Sequence, residues 1–210
     1  MSSLRYIILA AADAVEAARD ELGNLDAIAG DGDHGMTMAI AARNVRQKLA
    51  AAPTATGADL LRQVALGVGS VGGAIGPIYA AGILKIAALP LVAPVTVEQL
   101  RACAEAAEAG IATLGKAKPG DKTVLDAIHP LVESLRASEA RGDDPAAAVS
   151  AAAEAARRGA ASTADMIATI GRASRLGERS RGWADPGATS FAIIVGAMAA
   201  AFTREPTDKE

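Results

Sequence analysis

Asn24-Leu25-Asp26-Ala27-Ile28-Ala29-Gly30-Asp31-Gly32-Asp33-His34-Gly35-Met36-Thr37 is the stretch from which the rest of the chain can be read. It places the carboxylates of Asp26, Asp31 and Asp33 in a short glycine-punctuated segment, with a histidine directly behind the last of them. Carboxylates this dense repel one another and resist burial unless cations or protons neutralise them. Asp holds its oxygens close to the backbone, and Gly30, Gly32 and Gly35 let the chain turn tightly around a common centre. Mg²⁺ suits such a site, because it takes a few protein carboxylates and fills its other positions with water and phosphate. An Asp before a helix also serves as an N-cap, and Asp33 alone reads that way. The whole cluster reads as a metal site. Its spacing is not that of an EF-hand, and zinc would find only one nitrogen ligand, His34.

On both sides of this loop the apolar residues recur at helical spacing. Ile7, Ile8, Ala11, Ala14, Val15, Ala18 and Leu22 mark one face of a helix from Ser3 to Leu22, which Gly23-Asn24 should end. A second helix should start near Gly35 and run through Met38, Ile40, Val45 and Leu49, its first amides free to receive phosphate oxygens. Further helices are expected over 58–69, from the Gly72–Pro77 loop to Leu89, from Thr96 to Gly115, over 122–137, over 146–170 with a weak point at Gly159, and over 188–202. Thr96 with Glu98 and Gln99, and Asp144 with Pro145, are start signals. The pattern predicts an all-α chain: eight helices in one domain spanning 1–210, an antiparallel up-and-down barrel or bundle with a frayed tail from 204.

Composition agrees. Hydrophobic residues make up 51% of the chain and aromatic ones only 2%, so alanine and aliphatic side chains must do the packing, which favours helices over strands. Net charge is −3 with no basic run, which speaks against nucleic acid or an anionic membrane surface as partner. Val64 to Leu84 carries no charge and is long enough to span a bilayer, but its glycine-rich middle and Pro77 read as two buried helices meeting at a loop. The N-terminus, interrupted by Asp13 and Glu16, does not read as a secretion signal. The lone Cys103 excludes an internal disulfide and fits a small core position in a cytoplasmic protein.

Four more polar or glycine-rich segments stand out. They are Gly72-Gly73-Ala74-Ile75-Gly76-Pro77, Leu114-Gly115-Lys116 with Gly120-Asp121-Lys122-Thr123-Val124, and the long loop Gly171-Arg172-Ala173-Ser174 leading to Asp185-Pro186-Gly187-Ala188-Thr189-Ser190. Arg172, Arg175 and Arg179 suit a polyphosphate, or equally a salt-bridge cluster with Glu178 and Asp185. In an up-and-down arrangement the connections after the first, third, fifth and seventh helices lie at one end. The acidic loop, the glycine loop, the Asp-Lys-Thr loop and the arginine loop therefore gather there.

Together, and in this order, these motifs resemble the L subunit of dihydroxyacetone kinase, the nucleotide-binding half of a split sugar kinase. The resemblance covers nearly the whole chain and implies an eight-helix antiparallel barrel with the nucleotide at one end. It implies that Asp26, Asp31 and Asp33 bind two Mg²⁺ ions on the phosphates of ADP or ATP, with His34, Gly35, Met36 and Thr37 contacting phosphate at the helix start. Ala74 and Ile75 would line the nucleotide, Gly115, Thr123 and Val124 the adenine and ribose, and Arg172 with Asp185, Pro186 and Gly187 would complete the pocket. The chain departs from the family's usual pattern at Thr37, where Asn is common, and at Ile75, where Ser is common; Ile75 offers no side-chain hydrogen bond.

The resemblance further implies a K-type partner subunit that holds the sugar on a histidine, with transfer occurring only in the complex. One branch uses exchangeable ATP; in another, a tightly held ADP is rephosphorylated by a donor protein of the phosphoenolpyruvate phosphotransferase system. His129 reads as a packed helix residue rather than a substrate anchor. A different class remains as an alternative, a nucleotide-binding regulatory or assembly module without transfer activity. Self-association is left open by the sequence.

Overall fold

The computed structural model describes residues 3–204. Among these residues nine α-helices carry the fold: α1 (Ser3–Ala17), α2 (Arg19–Ala29), α3 (His34–Ala51), α4 (Gly57–Gly69), α5 (Ile75–Ala87), α6 (Val97–Gly115), α7 (Leu125–Arg141), α8 (Pro145–Ser162) and α9 (Pro186–Arg204). No strand occurs among the described residues. Helices α1 and α2 are one bent rod. At Ala18 the backbone relaxes to φ −87° and ψ 7°, yet the Ala18 amide still donates to Ala14 O at 3.1 Å and the Leu22 amide to Ala18 O at 2.9 Å. The rods therefore number eight, as the helical periodicity predicts.

Each rod packs on the next in chain order, and α9 returns to pack on α1, which closes the barrel. Fully buried Leu125, Ile128 and Val132 on α7 face Ala148, Ala152 and Ala156 on α8, where the small residues let the helices approach closely. Burying side chains of the Leu or Ile kind contributes about 1.5–3 kcal/mol each. Inside the barrel lies an apolar cavity of about 340 Å³, lined by residues that include Val15, Val45, Val64, Leu131, Ile194 and Met198. Cys103 also lines it, half-buried, and burial pushes its thiol up to about 11. Helix α9 is long and apolar enough to cross a membrane by length and composition, and here it is a barrel stave between α8 and α1.

The helix starts agree with local chemistry. Thr96 and Gln99 form a reciprocal capping box, and Asp144 accepts from the Ala147 amide at 2.9 Å with Pro145 in the first turn. The charge-free run from Val64 to Leu84 is indeed two helices, α4 and α5.

Several boundaries differ from the sequence expectation, among them the end of α7, which runs to Arg141 rather than 137. Gly23-Asn24 does not end the first rod, which continues to Ala29 and stops at the extended Gly30, so Asp26 lies on a helix and not in the loop. The rod expected to reach Ile170 stops at Ser162, passing smoothly through Gly159, and a 3₁₀ turn over Thr163–Asp165 opens the long loop. Helix α7 begins at Leu125, three residues later than Lys122, because Lys122 has a left-handed backbone with φ 61°. His129 is not packed in the core; its half-exposed ring meets Glu108 Oε1 at 2.9 Å. The expected tail lies outside the described residues beyond Arg204, the last residue of α9.

Candidate metal and phosphate site

Asp26 occupies the last turn of α2, while Asp31 and Asp33 sit exposed in the turn that leads to α3. One carboxylate oxygen from each lies within 4.8 Å of the others. What holds them there is the crossing of α2 and α3. A Cβ at Gly35 would collide with the Arg19 carbonyl oxygen and the Gly23 amide, both rigid backbone. Asp26 is buried, and its Oδ2 accepts from the His34 amide at 3.3 Å.

Arg172 reaches across from the long loop to all three acids. Its guanidinium bonds Asp31 and lies 3.5 Å from Asp33 Oδ1 and 3.9 Å from Asp26 Oδ2. Gly171, with φ 70°, makes the turn that aims it. Partial desolvation would raise the Asp31 carboxyl, but the bond and the charge of Arg172 hold it below the usual carboxylate range. Arg181 pairs with Glu178 at 3.5 Å, so the loop's charges divide between a local pair and the acidic turn.

Behind the trio, His34 ties the loop to α9. Its Nε2 lies 3.0 Å from Ser190 Oγ, and Ser190 in turn donates to Gly187 O at 3.0 Å. Tyr79 on α5 joins the same group, 3.3 Å from both Ser190 Oγ and Gly187 O. Burial pushes the His34 imidazole below its ordinary range, against the pull of Asp26 and Asp33, and burial likewise pushes the Tyr79 phenol up. Both groups are uncharged at neutral pH, and they fix the first turn of α9 against α3.

The other side of the site is shaped by three buried charged residues. Asp126 accepts from the Thr123 amide at 2.7 Å and from the Gly120 amide, folding the 120–123 turn over the start of α7. Asp121 accepts from Thr169 Oγ1 at 2.6 Å and from the Lys118 amide at 2.8 Å; these bonds hold its carboxyl below the usual range. Lys122 Nζ donates to the carbonyls of Trp183 at 2.6 Å, Thr163 at 2.7 Å and Met166 at 3.4 Å. Burial lowers its ammonium from the usual lysine range, while the carbonyls satisfy its donors. Lys122 thereby pins both ends of the segment that carries Arg172.

Asp185 caps α9, accepting from the Ala188 amide at 2.7 Å, while its own amide donates to Thr163 Oγ1 at 2.7 Å. Burial, aided by the charge of Asp126, raises its carboxyl to about 6 despite the cap bond and Lys122. The folded state thus holds this proton more tightly than the unfolded chain, and the group's contribution to stability falls as pH rises from the ordinary range near 3.8 through about 6. Asp185→Asn keeps an oxygen for the cap and loses the buried charge. It is expected to raise the melting temperature above pH 6, by about 2–4 °C for a gain on the order of 1 kcal/mol, and to leave it unchanged near pH 4. A pH series of thermal melts on both proteins checks this.

The structure brings Asp26, Asp31, Asp33, His34 and Arg172 into one network, with Asp185 to Gly187 behind it. Gly35 is buried, Met36 exposed and Thr37 half-buried along the first turn of α3, where Asp33 makes no side-chain cap and amides remain for an anion. Gly115 ends α6, Ala74 is exposed before α5, and Thr123 is half-buried. Ile75 packs against two apolar clusters, which accounts for an aliphatic residue there. Val124 is a core residue, and its Cβ and amide nitrogen lie within van der Waals reach of a side chain added at Gly187. Residues that the sequence reading gave no role are Tyr79, Asp126, Lys122, Thr163 and Ser190. The one available signal was polarity inside apolar runs: Tyr79 follows the glycine loop and Ser190 ends the Asp-Pro-Gly motif.

Residues 28–200 match the DAK2 domain family. The chain is 39% identical over 185 residues to the ADP-binding subunit DhaL of the phosphoenolpyruvate (PEP)-dependent dihydroxyacetone kinase 2 of Listeria innocua, covering 86% of this chain and 85% of that one. It is 38% identical over 182 residues to the corresponding ADP-binding subunit of Escherichia coli, covering 86% and 87%. The dihydroxyacetone kinase of C. freundii, solved in complex with AMP-PNP and Mg²⁺, superposes with a TM-score of 0.71 at 26% identity over 95% of this chain. The chain spans only 34% of that longer kinase.

Proposed function

The chain belongs to the DAK2 domain family, and from that premise we propose that it is the Mg–nucleotide-binding subunit of a two-component kinase for dihydroxyacetone or a related short-chain ketose. The observation that carries this is the convergence of Asp26, Asp31, Asp33 and Arg172 at the start of α3. The donor set fits Mg²⁺: the oxygens are hard, closely grouped and held by a buried Asp26, with two exposed acids left open to water and phosphate. Bound there, one or two Mg²⁺ ions would neutralise and orient the nucleotide phosphates.

The chain's own groups then position rather than react. The first-turn amides of α3 at Gly35 and Met36 receive phosphate oxygens at the positive end of that helix, the Thr37 amide being taken by Asp33 O at 2.9 Å. Arg172 offers a planar fork for a phosphate. Gly115, Thr123, Val124, Ala74 and Ile75 wall the nucleoside, and the Asp185–Gly187 turn closes the pocket from α9. The sugar is held by a K-type partner docked at this end, and the γ-phosphoryl of ATP passes to the sugar hydroxyl, leaving ADP. Relatives of matching length are named ADP-binding subunits of PEP-dependent kinases, which supports a held ADP recharged by a phosphotransferase-system protein. This setting is cytoplasmic and needs neither nucleic acid nor membrane.

Purified chain mixed with a K-type subunit, dihydroxyacetone, Mg²⁺ and ATP or a PEP-driven donor is expected to yield the sugar phosphate, measured by a coupled assay. Failure to bind ADP or ATP with Mg²⁺ in calorimetry overturns the reading. Binding without transfer to any K-type partner favours a regulatory module instead.

A further inference from the structure

Three clustered carboxylates repel one another, and here a guanidinium reaches in beside the trio that the crossing of α2 and α3 sets up. Arg172 contributes one delocalised positive charge and two of its nitrogens reach the trio, bonding Asp31 and approaching Asp33 and Asp26. Its nitrogens face the same three carboxylates that would hold a cation. Arg172 and Asp31 are each 54% exposed and Asp33 62%, so the contact is screened and can exchange; Asp26, at 9%, is the fixed end.

The segment that carries Arg172 is anchored away from the acids. Lys122 grips the Thr163, Met166 and Trp183 carbonyls on either side of it. Ser180 accepts from the Ala168 amide at 2.9 Å and donates to Gly177 O at 2.6 Å, and Asp121 holds Thr169. Between these anchors the 3₁₀ stretch Arg172–Ser180 packs chiefly on α2, the helix that carries Asp26. Its side chain can therefore leave the trio while the loop stays in place.

We propose that Arg172 is a built-in counter-ion that competes with free divalent cations for the acidic trio and yields only when nucleotide phosphate offers the guanidinium a replacement partner. This deepens the nucleotide-binding reading and rests on it. The energetic logic is one of exchange. A cation arriving alone must break the arginine contacts and leave the guanidinium without an anion. A cation arriving with a diphosphate breaks the same contacts, but the planar fork regains a phosphate in bidentate geometry. The site thus selects the metal–nucleotide complex over the bare ion, and Arg172 is the residue that sets this preference.

The consequence is a pair of effects with opposite signs from one substitution. Arg172→Gln removes the competing charge and the phosphate contact together. Mn²⁺ alone, followed by the loss of its free-ion electron paramagnetic resonance signal, is expected to bind the variant about 3–10-fold more tightly than the native chain. ADP in the presence of Mg²⁺, followed by calorimetry, is expected to bind it at least 10-fold more weakly. Arg172→Lys keeps a charge without the fork and should leave Mn²⁺ affinity near native while ADP still weakens. Helical circular dichroism on each variant confirms the fold, which an exposed side chain should not disturb.

An Arg172→Gln variant that binds Mn²⁺ no better than the native chain, or shows no Mn²⁺ binding at all, overturns the proposal. So does an unchanged or stronger affinity for Mg–ADP. A native chain that takes up Mn²⁺ but never ADP overturns the nucleotide reading instead, and the two failures are thereby told apart.

Discussion

Asp31→Asn is expected to lower Mg²⁺-dependent ADP affinity by roughly 100-fold or more, because residues that merely orient metal ligands are already worth 10–100-fold. The substitution preserves size and both hydrogen-bonding positions of the side chain, and changes only charge and donor character. Asp31 is exposed and its one strong partner is Arg172, so the fold has little reason to respond. Helical circular dichroism should therefore be native while calorimetry with Mg–ADP shows loss of binding. Nucleotide without metal should bind weakly to both proteins. Equal Mg–ADP affinity in the two proteins would remove the acidic trio from the site.

Gly35→Ala is expected to be the most damaging single methyl group that can be added near the site. The new Cβ would run into the Arg19 carbonyl and the Gly23 amide, and neither can turn aside as a side-chain tip could. Helix α3 must move off α2, and overpacking of this kind costs about 1–3 kcal/mol. At the upper end that corresponds to a fall in melting temperature of about 6–12 °C for a chain of this size. The same displacement pulls the His34 amide from Asp26, so Mg–ADP affinity should fall even in the protein that remains folded. Thermal melts and calorimetry on the variant check both effects. A native melting temperature would mean that the helices cross less tightly than the Gly35 contact indicates.

The staves were legible because they depend on local pattern. Apolar residues three and four apart, the Thr96–Gln99 box and the Asp144-Pro145 start carry their meaning within a few residues. The convergence of the loops was legible too, since an even number of antiparallel rods leaves alternate connections at one end. Gly23 was misread because Gly-Asn commonly ends a helix, whereas here the helix runs through it to Ala29.

Long-range partnerships were invisible for the same reason. Lys122 looks like part of a turn until Thr163 and Trp183 arrive from the far side of the sequence to receive its ammonium. Arg172 offers two readings, phosphate ligand or salt-bridge partner, and only the fold puts it against acids some 140 positions earlier. Tyr79 and Ser190 are ordinary members of apolar helices until α5 and α9 are neighbours at the mouth. In each case the missing information was which distant backbone would need a donor or a charge.

Because α9 returns to lie antiparallel beside α1, Ser3 and Arg204 both lie at the rim opposite the acidic trio. Covalent extension at either end therefore leaves the mouth unobstructed, and a short peptide joining them would make a ring without crossing it.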